Sequence, residues 1–159
     1  MAALTRRFRL ARLKDDSGAE LIEFAIVFPI FMVVVAAILD FGFLFQRYEV
    51  VTNAAREGAR MATLPDFAST TQDPDIRSRV RSYLTAAGLT ATVPDSDIPI
   101  TRGTETLPSG LTIGTVKVGV NYPSAFVLMA PFAPLLGGSA PGTITLKAAS
   151  VMRVEGAGS

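Results

Sequence analysis

The sequence predicts an α+β protein in which a long N-terminal transmembrane helix continues into a small exported domain with a second helix and a short antiparallel sheet. Three patterns support this fold class: an uncharged apolar run near the N-terminus, helix-period apolar positions after it, and alternating apolar positions toward the C-terminus. With 159 residues, the chain has room for one membrane segment and one small domain, because domains commonly hold about 100 to 150 residues.

The apolar run is long enough to cross a bilayer. Residues 24–39 carry no charged side chain, and apolar character resumes after Asp40 and extends to Phe45. A helix over residues 24–45 would be roughly 30 Å long, which matches the hydrocarbon core of a membrane. A helix buried in a soluble domain would normally show a polar face, and this run shows none. We therefore expect a transmembrane helix over residues 19–46.

Charge on either side of the run predicts its orientation. Basic residues crowd the first part of the chain, whereas Arg47 is the first one after the run. By the positive-inside rule, residues 1–18 form a basic cytoplasmic leader and residues 47–159 form an extracytoplasmic domain. A secretory signal peptide would have a shorter apolar core and a small-residue cleavage site at its far end, so we expect the helix to be retained.

Beyond the membrane, the helix is predicted to continue from Arg47 to Leu64, because this stretch lacks proline. Small residues recur four apart within it, at Ala54, Gly58 and Ala62, and form a flat ridge. Such a ridge packs closely against other elements, either within its own domain or on a helix of another subunit.

The remaining chain predicts a second helix and a few strands. The helix would begin with Asp73 as its N-cap and stop at Gly88 in a left-handed conformation. Alternating valines from residue 116 predict a strand with one buried face, and residues 144–154 and 98–102 predict two more.

A second apolar run, residues 125–136, is here called the apolar segment. It contains Pro131 and Pro134 and is too short to cross a bilayer as a regular helix. We expect it to pack in the core, with a partner-docking or membrane-surface loop as the alternative.

Composition excludes several kinds of chemistry. The chain has no Cys and no His, which removes disulfides, thiolate nucleophiles, the usual zinc sites and the side chain best suited to proton transfer near neutrality. Asp95 and Asp97 flank a serine in a stretch typical of a turn, although they leave an exported hydrolase as a rival class. Arg77, Arg79 and Arg81 are expected to keep the second helix solvated. We expect no enzyme activity, metal, cofactor, nucleic acid or small-molecule substrate.

The most informative stretch joins the leader to the helix. A small-residue junction, Gly18 and Ala19, is followed by Glu23 at the threshold of the membrane and by Phe24. A carboxylate at the centre of a membrane helix costs about 2.5 to 3.5 kcal/mol, and less near an interface, so Glu23 points to a partner. This stretch resembles type IV pilin-like precursors, specifically the TadE-like pseudopilins of the tight-adherence (Flp) pilus assembly system. The resemblance extends through residues 52–60 and touches most of the chain.

The resemblance implies that a prepilin peptidase cuts between Gly18 and Ala19 at the cytoplasmic face of the bacterial inner membrane. The mature chain would then act as a pseudopilin or minor pilin, with other pilins and inner-membrane assembly proteins as partners. Glu23 and Phe24 would serve assembly, with Glu23 compensating the ammonium freed at Ala19 on a neighbouring helix; alternatively, Glu23 only snorkels toward the headgroups.

Two further alternatives follow from the sequence. Asp40 would be a secondary membrane-helix contact, a cap of the span, or a partner of Arg47. The alternative function for the whole chain is that of an uncleaved membrane-tethered protein, which holds an extracytoplasmic binding or scaffold module.

Overall fold

The computed structural model describes residues 16–67, 69–137 and 142–154. The main elements along the chain are α1 (Asp16–Ala62), α2 (Asp73–Ala86), β1 (Ile100–Thr106), β2 (Thr112–Ser124) and β3 (Ile144–Val154), with short 3-10 helices between them. The predicted α+β class, with one long helix, a second helix and a small antiparallel sheet, is confirmed. Most of the predicted leader, residues 1–18, lies outside the described residues.

Helix α1 has two halves with different surroundings: the half up to Gln46, here called the membrane half, and the half from Arg47 onward. It contains 47 residues, which gives a length of roughly 70 Å. Among the described residues, its Gly18–Ala62 part is the one helix long and apolar enough to cross a membrane. Large apolar side chains around this part are exposed, among them Leu21, Phe24, Ile26, Phe31, Ile38, Phe41 and Phe45. Such a surface is suited to lipid rather than to water.

Pro29 lies inside the membrane half of α1. Proline has no amide hydrogen, so the carbonyl of Ala25 loses its usual helical partner. Transmembrane helices tolerate such a gap because neighbouring groups can satisfy the freed carbonyl.

The second half of α1 is buried in its own domain. Its inward face consists of small residues with no exposed surface: Val51, Ala54, Ala55, Ala59 and Ala62. A Cβ atom built on Gly58 would lie 2.6 Å from Cγ2 of Val80 in α2 and 3.1 Å from Cγ1 of Val118 in β2. Glycine at this position therefore allows α1 to approach both elements, and the small-residue ridge serves the chain's own core.

The sheet is antiparallel with strand order β1-β2-β3. In β2, the predicted inward face is buried: Val116, Val118, Val120 and Tyr122. Partly buried residues of β3 extend this face: Ile144, Ala148, Met152 and Val154. The alternating patterns are confirmed. The first strand begins at Ile100 rather than Ile98, because the Ile98 amide donates to the Asp95 carbonyl of the preceding 3-10 turn and Pro99 has no amide hydrogen.

The N-terminus of α2 differs from the prediction by one residue. The N-cap is Gln72, and Asp73 is already in the helix. The Asp73 carboxylate lies 2.7 Å from Nη2 of Arg102 on β1, so it joins the helix to the sheet instead of capping.

The C-terminus of α2 confirms the predicted stop. Gly88 has a φ of 83°, in the left-handed region. The Gly88 amide donates to the carbonyl of Thr85 at 3.0 Å, and the Leu89 amide donates to that of Leu84 at 2.9 Å. These two bonds form a Schellman motif, which satisfies carbonyls at the helix end.

Candidate membrane and assembly site

The predicted processing junction lies in the first turn of α1. Gly18 and Ala19 are both exposed, and a Cβ atom built on Gly18 would meet no atom within 4 Å. The junction is therefore not covered by the other described parts of the chain.

Glu23 and Phe24 face outward on the same helix. Both are exposed, and Glu23 forms no ion pair within the described parts of the chain. The Phe24 ring lies 5.3 Å, centroid to centroid, from the ring of Phe28. Because Glu23 follows Ala19 by four residues, the two lie one turn apart on one face of α1. The structure thus leaves the carboxylate available to a group outside this chain's folded part.

Asp40 is buried and bound to the backbone of the apolar segment. Its side chain is among the least exposed in the membrane half of α1, at 4%. One carboxylate oxygen accepts the amides of Val127 at 3.1 Å and Leu128 at 3.0 Å, and the other accepts the amide of Met129 at 2.7 Å. Hydrogen bonds to an ionised acceptor are roughly twice as strong as neutral ones. Asp40 therefore anchors the apolar segment to α1.

Arg47 holds the start of the same segment two turns further along α1. Its Nη1 donates to the Ser124 hydroxyl at 2.8 Å and to the Ala125 carbonyl at 3.2 Å. Ser124 is buried, at 3% exposure. Among the described residues, Asp40 and Arg47 form no ion pair with each other. Asp40 binds the amides of residues 127–129, whereas Arg47 binds Ser124 and Ala125.

The first part of the apolar segment, residues 125–129, contacts α1. The ring centroids of Phe126 and Phe41 are 6.1 Å apart in an edge-to-face arrangement. Ala36, one turn before Asp40, is buried, and so is Ala133 in the segment. The cluster around α2 and the sheet contains none of these residues. Contrary to the expectation of core packing, the described residues of the segment thus lie outside the main core, and residues 125–129 are held by α1.

The arginines of α2 do more than keep the helix solvated. Arg77 donates to the carbonyl of Ile98 at 3.2 Å, and Arg81 donates to that of Val93 at 2.9 Å. Arg79 binds Glu57 of α1 at 2.7 Å. Besides keeping the helix solvated, these side chains therefore fasten α2 to its neighbours.

Asp95 belongs to the same set of contacts. It lies exposed on a 3-10 turn, Asp95–Asp97, where Arg81 binds its carboxylate and Arg77 lies 3.8 Å away. The hydrogen bond from Arg81 holds the pKa of Asp95 below its ordinary value; desolvation opposes this, and the charges of Arg81 and Arg77 add to it. The carboxylate is thus engaged in fastening the turn to α2.

Part of the chain is similar to a known protein family. Residues 18–60 match the family model of TadE-like proteins. No curated protein and no solved structure matches the chain. The match begins at Gly18, where the sequence predicts the junction, and it includes Glu23, Asp40 and two of the three ridge residues, Ala54 and Gly58. The resemblance to TadE-like proteins predicted from the sequence is thus confirmed for residues 18–60, which make up α1 except for two residues at each end.

Proposed function

We propose that the chain is a pseudopilin or minor pilin that acts in the assembly of a tight-adherence (Flp) type IV pilus and has no catalytic role. The TadE-like match over residues 18–60 associates it with this assembly machinery in general. The observation that carries the finer proposal is the continuity of α1 (Asp16–Ala62). One helix presents an exposed apolar surface at its start and enters a folded core at its end.

This continuity supports a topology with the N-terminus in the cytoplasm and the domain outside the inner membrane. The basic leader retains its end of the chain on the cytoplasmic side. The helix then joins the lipid-embedded part to the exported domain without a flexible linker, so other pilins and inner-membrane assembly proteins can position the domain through α1.

Processing by a prepilin peptidase between Gly18 and Ala19 belongs to the same proposal. The exposure of both residues supports it, and so does the start of the family match at Gly18. Cleavage would leave an ammonium group at Ala19, at the positive end of the helix dipole. Glu23 carries the charge that such a group requires, and on a neighbouring helix it would link two subunits.

The test is to express the full chain with and without a prepilin peptidase and to sequence the N-terminus of the membrane-extracted protein. We expect Ala19 as the first residue with the peptidase present, and loss of this product in Gly18→Leu. Gly42→Leu is the matched control, because Gly42 lies in the same helix and also has no atom within 4 Å of an added Cβ.

Recovery of Met1 alone in the presence of an active peptidase would contradict the proposal. That outcome would favour the rival class, an uncleaved membrane-tethered binding or scaffold protein.

A further inference from the structure

We propose that the apolar segment is a second membrane contact, which lies against lipid in the outer boundary of the bilayer beside α1. This inference rests on the membrane span included in the proposed function. Three features carry it: the depth at which the segment is held, the satisfaction of its backbone, and its uncharged surface.

The depth follows from Asp40. This residue precedes Phe45, the end of the apolar run, by five positions, which corresponds to about 8 Å along the helix axis. Amphipathic elements that lie in the interface plane are buried about 5–10 Å into the boundary of headgroups and acyl chains. The amides of residues 127–129 bind Asp40 directly, so the segment is held at this level.

Several backbone amides of the segment are hydrogen-bonded within the protein, as a medium poor in water requires. Exposed amides in hydrocarbon cost several kcal/mol each, which excludes most irregular backbone from lipid. Within the segment, three amides bind Asp40 and that of Phe132 binds the Met129 carbonyl at 3.1 Å; directly after the segment, the Gly137 amide binds the Pro134 carbonyl at 3.3 Å. Pro131 and Pro134 have no amide hydrogen to satisfy.

The outward surface of the segment matches that of the helix beside it. Residues 125–136 include no charged or polar side chain. Val127 is 57% exposed, and Phe41, at the same level of α1, is 62% exposed. Lipid covers such a surface without polar partners, and an apolar surface continuous with the span is placed to meet it. The segment would thereby fix the tilt and height of the exported domain on the membrane.

The test uses the absence of tryptophan from the chain, which makes any introduced tryptophan a single fluorophore. Val127→Trp keeps the backbone amide that binds Asp40, and the exposed side chain leaves room for the ring. The full chain would be reconstituted in phosphatidylcholine and phosphatidylglycerol vesicles. The vesicles would carry lipids brominated either near the headgroup end of the acyl chain or near its terminal methyl group.

We expect Val127→Trp to lose most of its emission with bromine near the headgroup end and less with bromine near the terminal methyl group. Ile38→Trp, on the exposed face of the span, is the positive control, and Leu111→Trp, exposed in the β1–β2 turn, is the negative control. If Val127→Trp resembles Leu111→Trp while Ile38→Trp is quenched, the inference is overturned and the span stands. A blue-shifted but unquenched Val127→Trp would indicate a protein partner and would also overturn it. Failure of Ile38→Trp to be quenched would overturn both the span and the inference.

Discussion

Asp40 carries a negative charge within the apolar run of α1, and three backbone amides compensate that charge. A buried carboxylate without such donors would be strongly unfavourable in a medium of low dielectric constant. The amides gain equally, because they would otherwise be unsatisfied at the level of the bilayer boundary. The acid and the segment therefore stabilise each other, and neither is well placed alone.

Asp40→Ala should release the apolar segment from α1. A hydrogen bond to a charged group contributes about 1.5–3 kcal/mol, so we expect amide exchange at residues 127–129 to become about ten- to a hundredfold faster. Hydrogen exchange of the reconstituted full chain, followed by mass spectrometry, would measure this change. Asp66→Ala removes an exposed carboxylate outside the span and should leave these amides protected. Unchanged protection in Asp40→Ala would show that the three bonds do not hold the segment.

Gly58→Ala should destabilise the folded domain formed by the second half of α1, α2 and the sheet. The added methyl group would meet Val80 at 2.6 Å and Val118 at 3.1 Å, so α1 would have to move away from α2 and β2. Overpacking of this kind costs about 1–3 kcal/mol. Guanidinium unfolding of the full chain in detergent micelles should show a lower midpoint. Gly42→Ala, in open surroundings on the same helix, should leave the midpoint unchanged or raise it, because alanine favours helix over glycine.

At the scale of elements, α2 is fastened at both ends by charged side chains. Asp73 binds Arg102 of β1 at 2.7 Å near the start of the helix. Arg81 binds the Val93 carbonyl and the Asp95 carboxylate near the other end. The helix is therefore tied to β1 and to the Asp95–Asp97 turn before β1, in addition to the packing of its buried face.

Acid should loosen the second of these ties. The pKa of Asp95 is lowered in the folded protein, chiefly by the hydrogen bond from Arg81, so its contribution to stability is present above the unfolded-state pKa. That contribution is lost as the pH falls through the lower, folded-state pKa, in the range below about pH 4. Thermal unfolding of wild type and Asp95→Asn should differ near neutrality and converge in acid.

The expected difference is small, because Asp95 is 63% exposed and solvent screens its charge. Asp66→Asn, on an exposed residue, controls for the loss of one negative charge. A gap between Asp95→Asn and wild type that persists unchanged into acid would contradict the assignment of the effect to this carboxylate.

The elements that the sequence predicts well are those specified by nearby residues. The period of β2, the stop at Gly88 and the apolar half of α1 each depend on residues within a few positions of one another. The contacts of Asp40 and Arg47 could not be predicted in this way, because they join residues 77 to 89 positions apart. The only sequence signals were an acid near the end of an apolar run and a distant uncharged segment with prolines, and nothing local indicates that the two meet.

At the scale of the molecule, α1 connects two environments. Its first half is exposed and apolar, and its second half is the central element of a folded domain. Because Glu23 lies at the end of α1 far from the domain, a subunit contact at Glu23 would position the domain through a single continuous helix. Pro29 and the apolar segment are the two features that modify this rod within its membrane half.

Glu23→Gln should leave membrane insertion intact and weaken assembly. Glutamine keeps the shape and helix preference of the side chain but cannot compensate an ammonium group, so neighbouring subunits would lose a charge pair in a medium where the remaining charge is costly. Two differently tagged copies of the chain, expressed with a prepilin peptidase and extracted in mild detergent, would measure subunit association by co-purification. We expect reduced recovery for Glu23→Gln and normal recovery for Glu20→Gln, which removes an equally exposed charge one turn from the helix start. Without the peptidase no ammonium forms at Ala19, so the difference between the two variants should disappear. Equal recovery of wild type and Glu23→Gln after complete processing would show that this carboxylate does not contribute to subunit association.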